Sequence, residues 1–159
     1  MDVQSTIGSK LFVGSKANSL TADTYIRIGK IENFGEFGDE AEVIKFNATD
    51  EGKVYKGKGI VDPGAMQMTI ADIEDDPGRE RLDAAMIDPA AYNFYVEKNN
   101  VDRDPDTGLP LPGHHGTRFY FRALVTSTRR VPGGASDVWK RSLKLELTES
   151  YTPVPKGSS

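Results

Sequence analysis

The chain has no cysteine among its 159 residues. That excludes disulfide staples, thiolate zinc sites and cysteine nucleophiles. No apolar run approaches the ~20 residues that a membrane-spanning helix needs. The opening stretch, MDVQSTIGSKLFVG, has no basic region followed by an apolar core, so no signal peptide is expected and synthesis in a cytoplasm is. Histidine is almost missing, with only His114 and His115. Adjacent side chains of an extended segment point opposite ways, and no third imidazole or thiolate completes a zinc set. No G-x-S-x-G occurs, and the carboxylates fall in turns, caps and charged faces rather than as an acid–base pair. No repeat or linker divides the chain, so one domain over residues 1–159 is expected.

Three near-motifs fail on inspection. Gly52 to Lys58 reads G-x-x-x-x-G-K, but Gly59 stands where a magnesium-binding Ser or Thr belongs. A phosphate loop also joins a strand to a helix, and this segment is itself a strand arm. Asp102, Asp104 and Asp106 are spaced like the start of a calcium loop, yet Thr107 and Gly113 replace its glycine and its bidentate Glu. The string RFYFRALV, with Phe119, Tyr120 and Phe121, lacks the glycines of an aromatic RNA-binding sheet motif. Core packing is the better reading for Phe119, Phe121 and Trp139. No cofactor, no metal and no enzymatic constellation are read from the residues.

What is present is a polar but foldable chain, 37% apolar and 28% charged. Its net charge of −4 is unevenly spread. Five acids and no base lie between Glu32 and Glu42 (Glu32, Glu36, Asp39, Glu40, Glu42), whereas Thr117 to Lys144 holds seven bases and one acid, Asp137. Opposed blocks on one small domain suit head-to-tail contact between identical copies.

Strand patterns recur along the chain. Lys10 to Gly14 and Thr24 to Ile31 are predicted strands. Met66, Met68 and Ile70 share one face of another, and Tyr92 to Lys98 forms the next. Thr117 to Val131 aligns Phe119, Phe121, Ala123 and Val125, while Val138 to Ser150 aligns Leu143, Leu145 and Leu147. One helix is expected after an Asp75 or Asp76 cap, with Pro77 at its first position and an apolar stripe of Leu82, Ala85 and Met86. The predicted class is mainly β: a β-sandwich or open barrel of about seven to eight antiparallel strands with one flanking α-helix. Residues 1–9 form an N-terminal arm and 151–159 a polar tail. The long loop 99–116, with three prolines and three glycines, exceeds the usual connection length of a compact domain.

The alternating stretch from Glu40 to Ile73 carries the most information. Two arms of eight or nine residues flank a turn at Ala48 to Gly52. At ~3.4 Å per residue they make a hairpin on the order of 25–30 Å long. Such a hairpin is not stable alone in water, so 40–60 is predicted to project toward a partner subunit.

The order of these segments (KLFVG, TYIRIGKIENFGEFG, EAEVIKF, ATDEGKVYKGKG, MQMTIADI, one helix, YNFYVEK, FRALVTSTRRV, WKRSLKLELTE) resembles that of the major tail tube proteins of long-tailed bacteriophages, from about Ile7 to Glu149. The resemblance implies a structural virion protein of the tail, assembled in the host cytoplasm into homo-hexameric rings that stack as a hollow tube. It implies tape-measure, tail-terminator and baseplate proteins as partners, DNA passing through the lumen without specific binding, and no membrane. On that reading Asn47, Asp50, Glu51, Lys53, Tyr55, Lys56 and Lys58 make the ring-to-ring contact. Glu40, Glu42, Ile44, Phe46, Met66 and Met68 belong to the inner barrel between subunits. The alternative from the residues is a monomeric β-sandwich module that binds a carbohydrate or a protein ligand.

Overall fold

The computed structural model describes residues 3–158. Met1, Asp2 and Ser159, the extremities of the predicted arm and tail, lie outside the described residues. Leu11 and Val13 of β1 (Lys10–Val13) point inward by simple alternation. The expected strand from Thr24 to Ile31 is instead two, β2 (Ile26–Ile28) and β3 (Ile31–Asn33). The break falls at Gly29 and Lys30, where Lys30 takes a φ of 55°. The hairpin follows as β4 (Glu40–Ala48) and β5 (Lys53–Asp62), then β6 (Ala65–Ala71).

The helix α1 spans Pro77–Ile87, and the Asp76 carboxylate caps it by accepting from the Arg79 backbone N–H at 3.2 Å. Leu82 and Ala85 are buried as the stripe predicts, but Met86 is 42% exposed. The buried face runs through Gly78 and Arg79 instead. A side chain at Gly78 would meet the Arg27 carbonyl at 2.8 Å, so the glycine lets the helix start against β2.

The remaining strands are β7 (Tyr92–Glu97), β8 (His114–His115), β9 (Arg118–Val131), β10 (Lys140–Leu147), β11 (Thr152–Val154) and β12 (Gly157–Ser158). The last two lie in the segment expected to be a plain tail. They pair with β9 and β8 respectively.

One eight-stranded antiparallel sheet organises the domain, in the order β2-β1-β7-β9-β10-β6-β3, with β11 also on β9. The long β9 pairs β7 through Arg118–Ala123 and β10 through Ala123–Val131. Its two ends therefore belong to two differently placed halves of the sheet. The two ends of the path, β2 and β3, are separated by only Gly29 and Lys30. A path whose ends are joined by two residues has to curl round on itself, which makes the sheet an open barrel. The core fills that barrel: Leu11, Ile28, Met66, Met68, Phe94, Phe121, Leu143 and Leu145 are all buried. The predicted mainly β barrel with one flanking helix is the observed fold.

Arg79 locks the seam. It is 2% exposed, and its guanidinium donates to the Ala71 carbonyl at 2.8 Å, the Gly29 carbonyl at 2.8 Å and the Asp76 carboxylate at 2.7 Å. The helix is thus tied to the joint between the path ends and to the end of β6.

The outer face of β1, β7 and β9 carries a second packed layer. Phe12 stacks on Tyr95 with ring centroids 4.4 Å apart, and Tyr25 and Tyr120 pack on Tyr95 in turn. Burial pushes the Tyr95 hydroxyl up to about 12, against the pull of Arg118. The segment after β1 is drawn over this layer by buried Asn93, which donates to the Ala17 carbonyl at 2.8 Å and to Asp23 at 2.9 Å.

Candidate assembly surface

The β4–β5 hairpin stands apart from the barrel as a two-stranded sheet of its own. Its arms are nine and ten residues. Gly52, at φ 64°, supplies the left-handed step of the tip. The register runs from Ala48 opposite Lys53 to Val43 opposite Lys58, shifts where Gly59 and Ile60 of β5 oppose the single Glu42, and resumes with Ala41 opposite Val61 and Glu40 opposite Asp62. Directly opposed residues share a face. One face therefore bears Ile44, Phe46 and Tyr55, with Lys53 near the tip. The other bears Lys45, Lys56 and Lys58 between Val43 and Val54.

Val43, Ile44, Phe46, Val54, Tyr55, Ile60 and Val61 are between 45% and 79% exposed. Seven large apolar side chains left open on one hairpin form the kind of patch that marks an interaction surface. Both outer edges of the hairpin also leave their backbone groups unpaired, since β4 and β5 pair only with each other. An uncovered strand edge invites a further strand.

The structure sorts the predicted contact residues clearly. Asn47, Asp50, Glu51, Lys53, Tyr55, Lys56 and Lys58 are all exposed on the hairpin, as are Glu40, Glu42, Ile44 and Phe46. Tyr55 donates its hydroxyl to Glu51 at 2.5 Å and receives Lys53 over its ring at 5.0 Å. Those contacts stiffen the tip. Met66 and Met68 are different: they are 0% and 2% exposed, inside the subunit's own core. Their strand already pairs β10 on one edge and β3 on the other, so what it offers a neighbour is the opposite face, with Gln67 exposed there.

Charge is distributed differently from the two blocks read in the sequence. The basic block is largely engaged within the subunit. Arg118 meets Glu97 at 3.1 Å, Arg122 holds Asn93, and Arg130 and buried Arg141 share Asp72 at 3.2 Å. Lys140 reaches Glu32 of the acidic block itself at 2.7 Å. Among the described residues Lys45, Lys56 and Lys58 of the hairpin make no ion pair, and neither do Glu36, Glu40 and Glu42 near the hairpin root. Proximity in sequence does not show which charges pair within the subunit, because partners such as Lys140 and Glu32 are far apart along the chain. The signal was in the Lys45 and Lys56 positions of an otherwise alternating pair of arms.

Trp139, expected as a packing anchor, is 56% exposed. The 99–116 loop is built rather than open: Arg103 donates to Gly108 and Asn99, and Lys156 of the terminal segment bonds Asp102 at 3.0 Å. His115 sits against the Gly116 carbonyl, and His114 lies 3.8 Å from Asp102. Among the described residues no group of three or more His, Asp or Glu is arranged to hold a metal ion. Among the described residues no helix is long and apolar enough to cross a membrane.

No protein-family model matches the chain, and no curated protein matches it in sequence. Solved structures do. A chain of the anti-feeding prophage baseplate, reconstructed with six-fold symmetry, superposes with a TM-score of 0.65 at 13% identity, covering 98% of both chains. A chain of the sheath–tube complex of an extracellular contractile injection system, PVC, gives 0.62 at 11% identity over 96% of this chain and 92% of that one. The SPP1 tail tube protein gives 0.57 at 13% identity over 98% and 80%. The fold of this chain is the fold of these tail and injection-tube components, shared over nearly its whole length.

Proposed function

We propose that this chain is a structural tail tube subunit, which closes into rings of six that stack as a hollow conduit. The observation that carries the reading is the uncovered hairpin on a tube-type barrel. Hydrophobic burial at ~25 cal/mol per Å² drives association, and the hairpin's exposed apolar face has nothing in its own subunit to bury against. Ring closure would cover the free strand edges of each hairpin with those of its neighbours, as barrel closure does. Stacking of identical rings is a heterologous contact that repeats along one axis. Glu40, Glu42, Ile44 and Phe46 then face neighbours within the ring, and Asn47 to Lys58 reaches the adjacent ring.

In this reading the partners are further copies of the chain, with tape-measure, terminator and baseplate proteins at the ends and DNA travelling through the lumen. The net charge of −4 favours a channel that repels phosphates and lets a duplex slide. Negative-stain images and size exclusion of the purified protein test the proposal. Rings or tubes that grow with concentration are the expected result. A sharp monomer at every concentration overturns it.

A further inference from the structure

The hairpin carries two like-charge pairs that its own subunit leaves uncompensated. Lys45 lies directly opposite Lys56, and Glu40 lies directly opposite Asp62. Opposed like charges on one sheet face are destabilising. Among the described residues neither Lys45, Lys56 nor the neighbouring Lys58 is ion-paired, and neither is Glu36, Glu40 or Glu42. The lysines project from the face that also carries exposed Val43 and Val54. The carboxylates gather at the root, where a groove of about 360 Å³ is lined by Glu36, Asp39, Glu40 and Asp62 and by no base.

We propose that the lysine face of one hairpin docks into the carboxylate groove at the hairpin root of a second copy, so that ring stacking is held by charge complementarity. This rests on the tube reading above and adds the chemistry of its joint. A lysine face and an acidic groove on the same element are offset along the hairpin, so they match only between copies shifted along a common axis. That is a head-to-tail contact, which repeats without closing. Each docked joint neutralises both like-charge pairs at once. A polyanion such as duplex DNA would satisfy the lysines but would leave Val43, Val54 and the carboxylate groove unmatched, and the chain's net negative charge opposes its approach.

The test is stacking of the full chain as a function of salt and of charge reversal. Raising salt from about 0.1 M to about 1 M shortens the screening length from about 10 Å to about 3 Å, and wild-type tubes are expected to fall back to single rings. K45E/K56E is expected to keep its melting temperature and form rings that do not stack. The swapped variant K45E/K56E/E36K/D62K is expected to stack again. Normal tubes from K45E/K56E, or no recovery in the swapped variant, overturn the inference while leaving the tube reading intact. Retained stacking together with lost retention of duplex DNA by K45E/K56E also overturns it and assigns the lysines to nucleic acid. A wild-type protein that forms neither rings nor tubes at any salt removes the tube reading first, and this inference with it.

Discussion

Replacing Arg79 by Met removes the tie across the barrel seam while keeping most of the side-chain volume. The guanidinium satisfies two backbone carbonyls, Gly29 and Ala71, and pairs with Asp76. Arg79 itself is 2% exposed, so water does not replace those bonds freely. Two carbonyls left unsatisfied in a dry site cost about 1–3 kcal/mol each. Asp76 keeps partial access to water, with its side chain 26% exposed, so its lost partner adds little beyond that. The sum is about 2–6 kcal/mol, a large share of the roughly 5–15 kcal/mol that stabilises an ordinary domain. For a chain of this size each kcal/mol lowers the melting temperature by about 2–4 °C, so a fall of roughly 4–24 °C is expected. Thermal unfolding of the isolated subunit, followed by far-UV circular dichroism, measures it. Hydrogen exchange adds the location: amides around Gly29 and Lys30 should lose protection first. A melting temperature within about 3 °C of wild type would show that the seam is held by core packing alone and that the Arg79 bonds contribute nothing net.

Three further outcomes follow from the same geometry. Phe46→Ser on the exposed hairpin face should leave stability within about 0.5 kcal/mol, as surface changes do, yet abolish ring or tube formation by electron microscopy; intact tubes would remove Phe46 from the contact. Gly35→Ala should destabilise strongly, because its φ is +70° and an added Cβ would sit 1.9 Å from the Gln67 carbonyl oxygen; a melting temperature unchanged by Gly35→Ala would contradict the close approach. Burial alone would raise the Asp23 carboxyl, but hydrogen bonds from Ser15, Asn93 and Thr24 prevail and hold it below its ordinary value of 3.8. A carboxylate with a lowered folded-state value stabilises above its unfolded value and loses that contribution as pH falls through the folded one. Wild type should therefore lose stability below about pH 4 more steeply than Asp23→Asn, and parallel pH profiles of the two melting temperatures would contradict that.

Much of this architecture is legible in the residues because alternation and caps are local. Met66, Met68 and Ile70 point inward as their spacing requires, and so do Leu143, Leu145 and Leu147. Asp76 and Pro77 place the helix start. The hairpin length is legible too, since nothing interrupts its arms. What escaped depends on distant partners. The split of β2 from β3 needs a lysine at positive φ, stabilised by contacts far away in sequence such as Arg79 to Gly29. Strands β11 and β12 exist only because β9 and β8 present edges to them. The burial of Arg79 and Asn93 follows from carbonyls that converge on them in three dimensions, and Trp139 is exposed although its backbone carbonyl still accepts from the Asp72 N–H at 3.0 Å. Within the assembly surface, the polarity of the hairpin was readable, but which charges were already engaged was not, because ion pairs such as Lys140 with Glu32 join residues more than a hundred positions apart.

The strands on either side of the hairpin, β3 and β6, are themselves hydrogen-bonded neighbours. The chain leaves the barrel and re-enters it at almost the same place. Hairpin length is therefore mechanically decoupled from the core. Adding two residues to each arm would extend its reach by about 7 Å without moving a single barrel strand. The spacing from one copy to the next becomes an adjustable quantity, written in a segment that can lengthen or shorten while the rest of the molecule keeps its shape.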